Sequence, residues 1–290
     1  MVQRWGGFLR RYWLETLMLL PLTLYIVLLT FVPVLQAIGM GFTDRYSGAF
    51  PTLSNYQYIV GRPDFADAFI NTIGITVLSV TLEMTAGLIL ALMLARTFAG
   101  RGVFRTIILT PMGVPTLVAG AAMLYFFRTN GYLNELLLRL GLIDLPIFWT
   151  ESGLRGIVAI AVADMWKVTP IVTLLLLSGL ESIPGDVYEA ADVDGASRWE
   201  AFRSVTLPLL MPAITMALIV RAIDAFRIFD VVMVMASRSI PVMSTFVYSN
   251  YFDFQDPYSA SAAATILLLM IVAFIAAYFL LVERRRGELA

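Results

Sequence analysis

EAADVDGASRWEAFRSVTLP, residues 189–208, is a polar, charge-rich stretch set between two long apolar segments of a chain that is otherwise almost entirely lipid-like. The contrast decides the class of fold. Hydrophobic residues make up 59% and charged residues 14% of the 290 positions, against roughly 25% charged in an average soluble domain, so the chain reads as a polytopic membrane protein. Crossing about 30 Å of hydrocarbon takes roughly 20 helical residues. Apolar runs of that length occur at about 16–37, 69–95, 106–127, 156–180, 212–236 and 260–282. Barrel strands would be about half as long and alternating. The expected fold is all-α, with six transmembrane helices in one domain over residues 1–290 and a long loop at 181–211.

Arg4, Arg10 and Arg11 ahead of the first run resemble the start of a secretory signal. The apolar core is too long for one, no small-residue cleavage site is clear, and five more runs follow, so a retained first helix is expected. Lys and Arg in short loops set orientation. With the N-terminus inside, Arg4, Arg10, Arg11, Arg96, Arg101, Arg105, Arg198, Arg203, Arg284, Arg285 and Arg286 lie in the cytoplasm, eleven in all. Arg45, Arg62, Arg128, Arg139, Arg155 and Arg238, six residues, then lie outside. The balance puts both termini and the 189–208 loop in the cytoplasm.

Several chemistries are excluded by composition. There is no cysteine, hence no disulfide, thiolate metal site or nucleophilic thiol. There is no histidine either, which removes the commonest general base and metal ligand. Asp192 and Asp194 lie in the loop and read as structural, so a membrane enzyme is disfavoured. Lys167 is the single lysine and is followed by Val168, so no GxxxxGK[ST] phosphate loop exists. The arginines mark topology rather than forming a nucleic-acid patch.

Within the loop, Pro184 suits the first turn of a helix and Asp186 and Glu189 suit the positive end of its dipole, predicting a helix over 184–193. Gly195 can take a left-handed backbone, so a reversal is expected there. Ser197 and Glu200 form an S-x-x-E capping box that starts a second short helix. Leu207-Pro208 is expected to end it, because the residue before proline is pushed out of helical geometry. Tyr188, Ala190, Ala191, Trp199 and Phe202 supply apolar contacts for a docking partner. The alternative is an amphipathic linker resting on lipid.

The runs at 106–127 and 156–180 hold Pro111, Pro115 and Pro170, expected as ordinary kinks or as a hinge, with the freed carbonyls satisfied by neighbours or a water-lined cavity. The run at 212–236 carries Arg221, Asp224, Arg227 and Asp230. Four unpaired charges there would cost on the order of 10 kcal/mol on the insertion scale, so this helix is expected to line a cavity or pair. Neighbours on the same helix are within reach of one another. Asp164, Trp166 and Lys167 stand in the preceding run. Lys167 is eleven residues from Gly156 and Asp224 twelve from Ala236, while Asp164 and Arg227 are eight and nine; these depths predict the pairs Lys167–Asp224 and Asp164–Arg227. The charges would either hold a hydrophilic path open or contact a sugar, with Trp166 stacking on a pyranose face. Glu83, alone in its run, is expected to be a helix-packing hydrogen bond at least as readily as a site residue.

Glu189-Ala190-Ala191, then Gly195 after three residues, then nine residues to Val205, and Leu207-Pro208, resembles the EAA loop of permease subunits in binding-protein-dependent ABC importers. The family pattern is EAA-x3-G-x9-I-x-LP, with Val for Ile at 205 the one departure. Residues 19–44, 71–95 and 103–115 are similar to the carbohydrate branch (the maltose, trehalose and glycerol-phosphate type), whereas MASRSIP at 235–241 departs from the glycine-rich turn of many relatives. The resemblance implies the type I importer permease fold in a bacterial inner membrane. It also implies a second homologous permease, two ATP-binding ATPase subunits holding ATP and Mg, and an extracytoplasmic substrate-binding protein. Glu189, Ala190, Ala191, Asp194, Gly195, Leu207 and Pro208 would couple to the ATPase, while Asp164, Trp166, Lys167, Arg221, Asp224, Arg227 and Asp230 would line the substrate path. The chain would carry no cofactor and catalyse nothing itself. A sugar is the expected cargo, with glycerol 3-phosphate or a polyol as the alternative. An ion-coupled secondary transporter using the Asp and Arg residues of 212–236 as a proton relay is the rival from another class.

Overall fold

The computed structural model describes residues 12–151 and 153–287, and every regular element among them is helical. The arginines at 4, 10 and 11 lie outside the described residues, as do the side chains of Arg284, Arg285 and Arg286. Among the described residues five helices are long and apolar enough to cross a membrane, or six if the bent pair Arg101–Gly113 and Thr116–Arg139 is one span. The chain divides into two compact units. One comprises the described residues before Arg62 together with Val247–Ile266, and the other comprises Arg62–Phe246 and the described residues from Leu267.

The first unit holds α1 (Trp13–Gly41) and α2 (Ser54–Val60). A turn after α1 is organised by Asp44, whose carboxylate accepts from the backbone N–H of Tyr46 and Ser47 at 3.0 and 2.7 Å and from the Ser47 and Ser54 hydroxyls at 2.8 Å each. Buried Asn55 donates to the carbonyls of Gly41 and Thr43 at 3.0 and 2.7 Å, which satisfies the end of α1. Arg45 pairs with Asp256 at 2.6 Å and so ties this turn to the start of the last helix. A Cβ on Gly41 would sit 2.8 Å from the Tyr56 hydroxyl and 3.2 Å from the Ala262 backbone, so a larger residue there would have to displace both.

The second unit is built on α3 (Pro63–Ala95) and α7 (Gly153–Glu181). On α3, Thr72, Thr76, Ser79, Glu83 and Gly87 are spaced by three or four residues and all lie buried, which makes one small and polar stripe along a face. Small side chains let helices approach closely. A Cβ at Gly87 would stand 2.5 Å from Cγ1 of Val172 on α7. Two apolar clusters lie along the pair, one around Ile75, Ile160, Val232 and Ile240, the other around Ala91, Leu94, Leu176 and Leu210. Glu83 and Asp164 fall between them in sequence on their respective helices.

Between α3 and α7 run α4 (Arg101–Leu109), a 3-10 turn (Thr110–Gly113), α5 (Thr116–Phe127) and α6 (Tyr132–Arg139). The expected unbroken span at 106–127 is corrected here: the path bends by 100° at the Pro111–Pro115 segment. Two prolines in five residues remove two N–H donors and forbid a continuous ladder.

After α7 come α8 (Asp186–Val193) and α9 (Arg198–Phe226), then α10 (Asp230–Met235), α11 (Met243–Tyr248) and α12 (Pro257–Gly287). Two further expectations change. Helix α8 starts at Asp186 rather than Pro184. The Leu207-Pro208 pair does not end a helix, because α9 runs through it. A π-turn at Phe202–Thr206 widens the backbone just before Pro208, where the ring would otherwise clash with the carbonyl four residues back. The same device stands in α1, where a π-turn at Val27–Phe31 precedes Pro33. The run at 212–236 is likewise two helices rather than one, since α9 ends at Phe226 with Arg227 as its C-cap and α10 begins at Asp230.

Candidate functional site: a coupling loop and an intramembrane ion network

The 189–208 loop folds as a helix, a reversal and a second helix. Gly195 has φ +76, the left-handed conformation that costs a residue with a Cβ roughly 1–2 kcal/mol. Its N–H bonds to Asp192 O at 3.1 Å, and Ala196 N–H bonds to Ala191 O at 2.9 Å, closing the end of α8. The capping box is complete, with Ser197 N–H donating to Glu200 Oε2 at 2.7 Å and Glu200 N–H to Ser197 Oγ at 3.3 Å. The Tyr188 hydroxyl meets Thr206 Oγ1 at 3.1 Å and fastens α8 to the π-turn of α9. Ala191 is buried against this frame, while Glu189, Ala190, Asp194, Gly195 and Pro208 stand exposed and Leu207 is half-buried. Trp199 and Phe202 stack at 5.6 Å between centroids. The arrangement presents a carboxylate and a small residue on a short helix whose far end cannot shift without breaking the reversal.

Inside the second unit Arg221 is the hub. Its Nε and Nη2 donate to Glu83 Oε2 and Oε1 at 2.7 and 3.2 Å, its Nη2 reaches Asp164 Oδ2 at 3.4 Å, and its Nη1 reaches Asp224 Oδ2 at 3.2 Å. The guanidinium carries its donors in a fixed fork, which suits it to several carboxylates at once. Side-chain exposure is 3% for Arg221, 0% for Glu83 and 10% for Asp164, but 53% for Asp224. The network therefore runs from a dry interior to an accessible edge. Lys167 does something different. Its Nζ donates to the carbonyls of Pro111 and Met112 at 3.2 and 3.1 Å, at the bend of the broken span, where the Pro111 carbonyl also accepts from the Val114 N–H at 3.2 Å.

The structure brings Asp164, Arg221 and Asp224 together and leaves Trp166 half-buried, Arg227 exposed and Asp230 half-buried. The expected pairs Lys167–Asp224 and Asp164–Arg227 are not among the ion pairs of the described residues, and that expectation is corrected. Counting depth assumed one helix to residue 236, whereas α9 stops ten residues sooner, and Arg221 offers Asp164 a better-matched partner than Arg227. The residue that sequence reading underrated is Glu83. Its signal was the stripe of Thr72, Thr76 and Ser79 leading to it at helical spacing, which marks the buried face on which an acid finds a partner.

An all-helical, multi-span chain with a structured polar loop before its fifth span and a charge network inside is a membrane permease by architecture. Residues 83–287 match the model of the family described as binding-protein-dependent transport system inner membrane component, and the chain belongs to that family. This decides against the ion-coupled secondary transporter. The trehalose/maltose transport system permease protein MalF of Thermococcus litoralis is 38% identical over 250 residues, covering 82% of this chain and 84% of that one. The trehalose transport system permease protein SugA of Mycobacterium tuberculosis is 41% identical over 207 residues, 70% of this chain and 66% of that one. Among solved structures, a chain of a bacterial ABC transporter that imports the acidic polysaccharide alginate aligns with a TM-score of 0.84 at 21% identity, over 97% of this chain and 99% of that one. The fold is that of a type I ABC importer permease.

Proposed function

We propose that the chain is one of two permease subunits of an ATP-driven sugar importer in a bacterial inner membrane, with both termini cytoplasmic. The single observation that carries the coupling role is the 189–208 loop: a rigid helix–reversal–helix, fixed by Gly195 and the Tyr188–Thr206 bond, with Glu189 exposed on it. A separate ATPase would dock there, and a pair of them would supply ATP and Mg, since this chain has no phosphate loop and is itself non-catalytic. Sugar cargo is supported by the relatives, whose names specify trehalose, maltose and lactose transport. A substrate-binding protein would deliver it, as a solved relative of this fold in complex with a pentasaccharide-bound periplasmic protein supports. In the path, Asp224 and Arg227 are exposed polar groups available to sugar hydroxyls, with Asp230 three residues past Arg227 and Trp166 next to Lys167 on α7, while Asp164, Arg221 and Lys167 hold the helices that present them.

The test is a charge reversal, Glu189→Lys, beside Gly195→Val. Both variants are expected to insert in the membrane at normal yield, to lose sugar uptake, and to release the ATPase on purification or leave its hydrolysis unresponsive to the binding protein. Full uptake by both variants would overturn the assignment of the loop.

A further inference from the structure

A cavity of about 970 Å³ opens beside the loop, at the end of the second unit where α3 and α7 finish and α9 begins. Its walls are chiefly apolar, from Leu88 and Leu92 on α3, Leu180 on α7 and Phe202 on α9. Two arginines line it as well, Arg96 just past α3 and Arg198 at the start of α9. Both are exposed, and neither takes part in an ion pair of the described residues. By contrast Arg101, just beyond the same helix, is already held by Glu181 at 2.6 Å. Asp192 is the one acid in the lining, so the net charge of the walls is positive. Trp199, also in the lining, is 67% exposed, and tryptophan favours the headgroup level of a bilayer.

A chiefly apolar groove between α3, α7 and α9 that is also lined by two guanidiniums outside the ion pairs of the described residues matches one kind of amphiphile. We propose that it holds the acyl chains of an acidic phospholipid from the leaflet on the side of the 189–208 loop, with Arg96 and Arg198 on the phosphate. Basic pockets between spans are suited to anionic headgroups, and each nearby Lys or Arg strengthens that attraction. Guanidinium binds phosphate with paired, charge-assisted hydrogen bonds. Two walls of the site belong to the coupling loop, since Tyr188 and Thr206, bonded to each other, both line it. The lipid would therefore brace the loop against the spans. The site depends on the membrane-spanning fold and not on the identity of the ATPase or the cargo.

Native mass spectrometry of the full-length chain released from detergent, offered phosphatidylglycerol or phosphatidylcholine with matched acyl chains, tests this directly. Phosphatidylglycerol is expected to be retained preferentially, and the Arg96→Gln/Arg198→Gln variant to lose roughly tenfold in that retention. Arg105→Gln, an exposed arginine outside the groove, is expected to change nothing. Arg96→Lys/Arg198→Lys keeps the charge and is expected to keep the lipid, which separates lost binding from lost folding. Equal retention of the two lipids, equal loss in the Arg105→Gln control, or displacement of the lipid by inorganic phosphate alone would overturn the proposal. So would a cross-link from Trp199→Cys into a second permease, because the groove would then be filled by protein.

Discussion

At the scale of single residues, Glu83 is the most consequential side chain in the interior. It is fully buried and takes two of the Arg221 donors. Removing one partner of a buried ion pair leaves an uncompensated charge, at a cost of about 3–5 kcal/mol. Arg221 keeps Asp164 and Asp224, so Glu83→Ala is expected near the lower end, about 3 kcal/mol. The thermal unfolding midpoint in a fixed detergent reads it, and an unchanged midpoint would refute the hub role. Asp44 offers a contrasting case outside the spans. The Ser47 N–H, first, then the Ser54 and Ser47 hydroxyls and the Tyr46 N–H, hold its carboxyl well below the usual carboxylate range. A lowered folded value means that its contribution is complete above the unfolded pKa of about 4 and is lost only as pH falls through the depressed one. The turn is therefore expected to keep its amide protection at Tyr46 and Ser47 down to about pH 4. Hydrogen exchange corrected for intrinsic rate checks this, and Asp44→Asn is expected to lose the protection already at neutral pH.

At the scale of elements, prolines decide where helices break and where they merely widen. Pro111 and Pro115 together bend a span by 100°, and Lys167 donates to the carbonyls of Pro111 and Met112 at the bend. Lys167→Met removes hydrogen bonds from a charged donor, worth about 1.5–3 kcal/mol, and is expected to lower the unfolding midpoint while leaving α7 helical by circular dichroism. Pro208 and Pro33 are accommodated by π-turns instead. Sequence reading placed the break at Pro111–Pro115 among the possible hinges, yet it ended a helix at Pro208 where none ends. A propensity rule for the residue before proline knows nothing of the extra backbone residue that a π-turn inserts. The capping box and the reversal at Gly195 were legible because each depends on neighbours within four positions. Close packing was not: only the structure shows that Gly87 faces Val172. Gly87→Val is expected to destabilise by about 1–3 kcal/mol through overpacking, and an unaltered midpoint would show that the helices can part there.

At the scale of the whole molecule, the six apolar runs and the loop motif were readable from composition and spacing. The pairing of the buried charges was not, because it depends on helix rotation and on where α9 stops, neither of which depth along a span encodes. The network also makes a collective prediction. Arg221→Met alone strands two buried acids, whereas Arg221→Met combined with Glu83→Gln and Asp164→Asn strands no charge. The triple variant is expected to be more stable than the single by about 1–4 kcal/mol, measured as the difference in unfolding midpoints. Additive losses across the three substitutions would mean that the groups do not act as a unit.

One guanidinium thus reaches carboxylates on α3 and α7 from its place on α9, all within the second unit. A slide of any one of these helices by a single turn, about 5.4 Å, would carry a carboxylate out of its reach. The three helices are consequently pinned in register and travel as one piece. A motion that lets cargo through while keeping this network must be taken up outside the three helices, at places such as the bend at Pro111–Pro115 in the span between α3 and α7 or the break after α9 between Phe226 and Asp230.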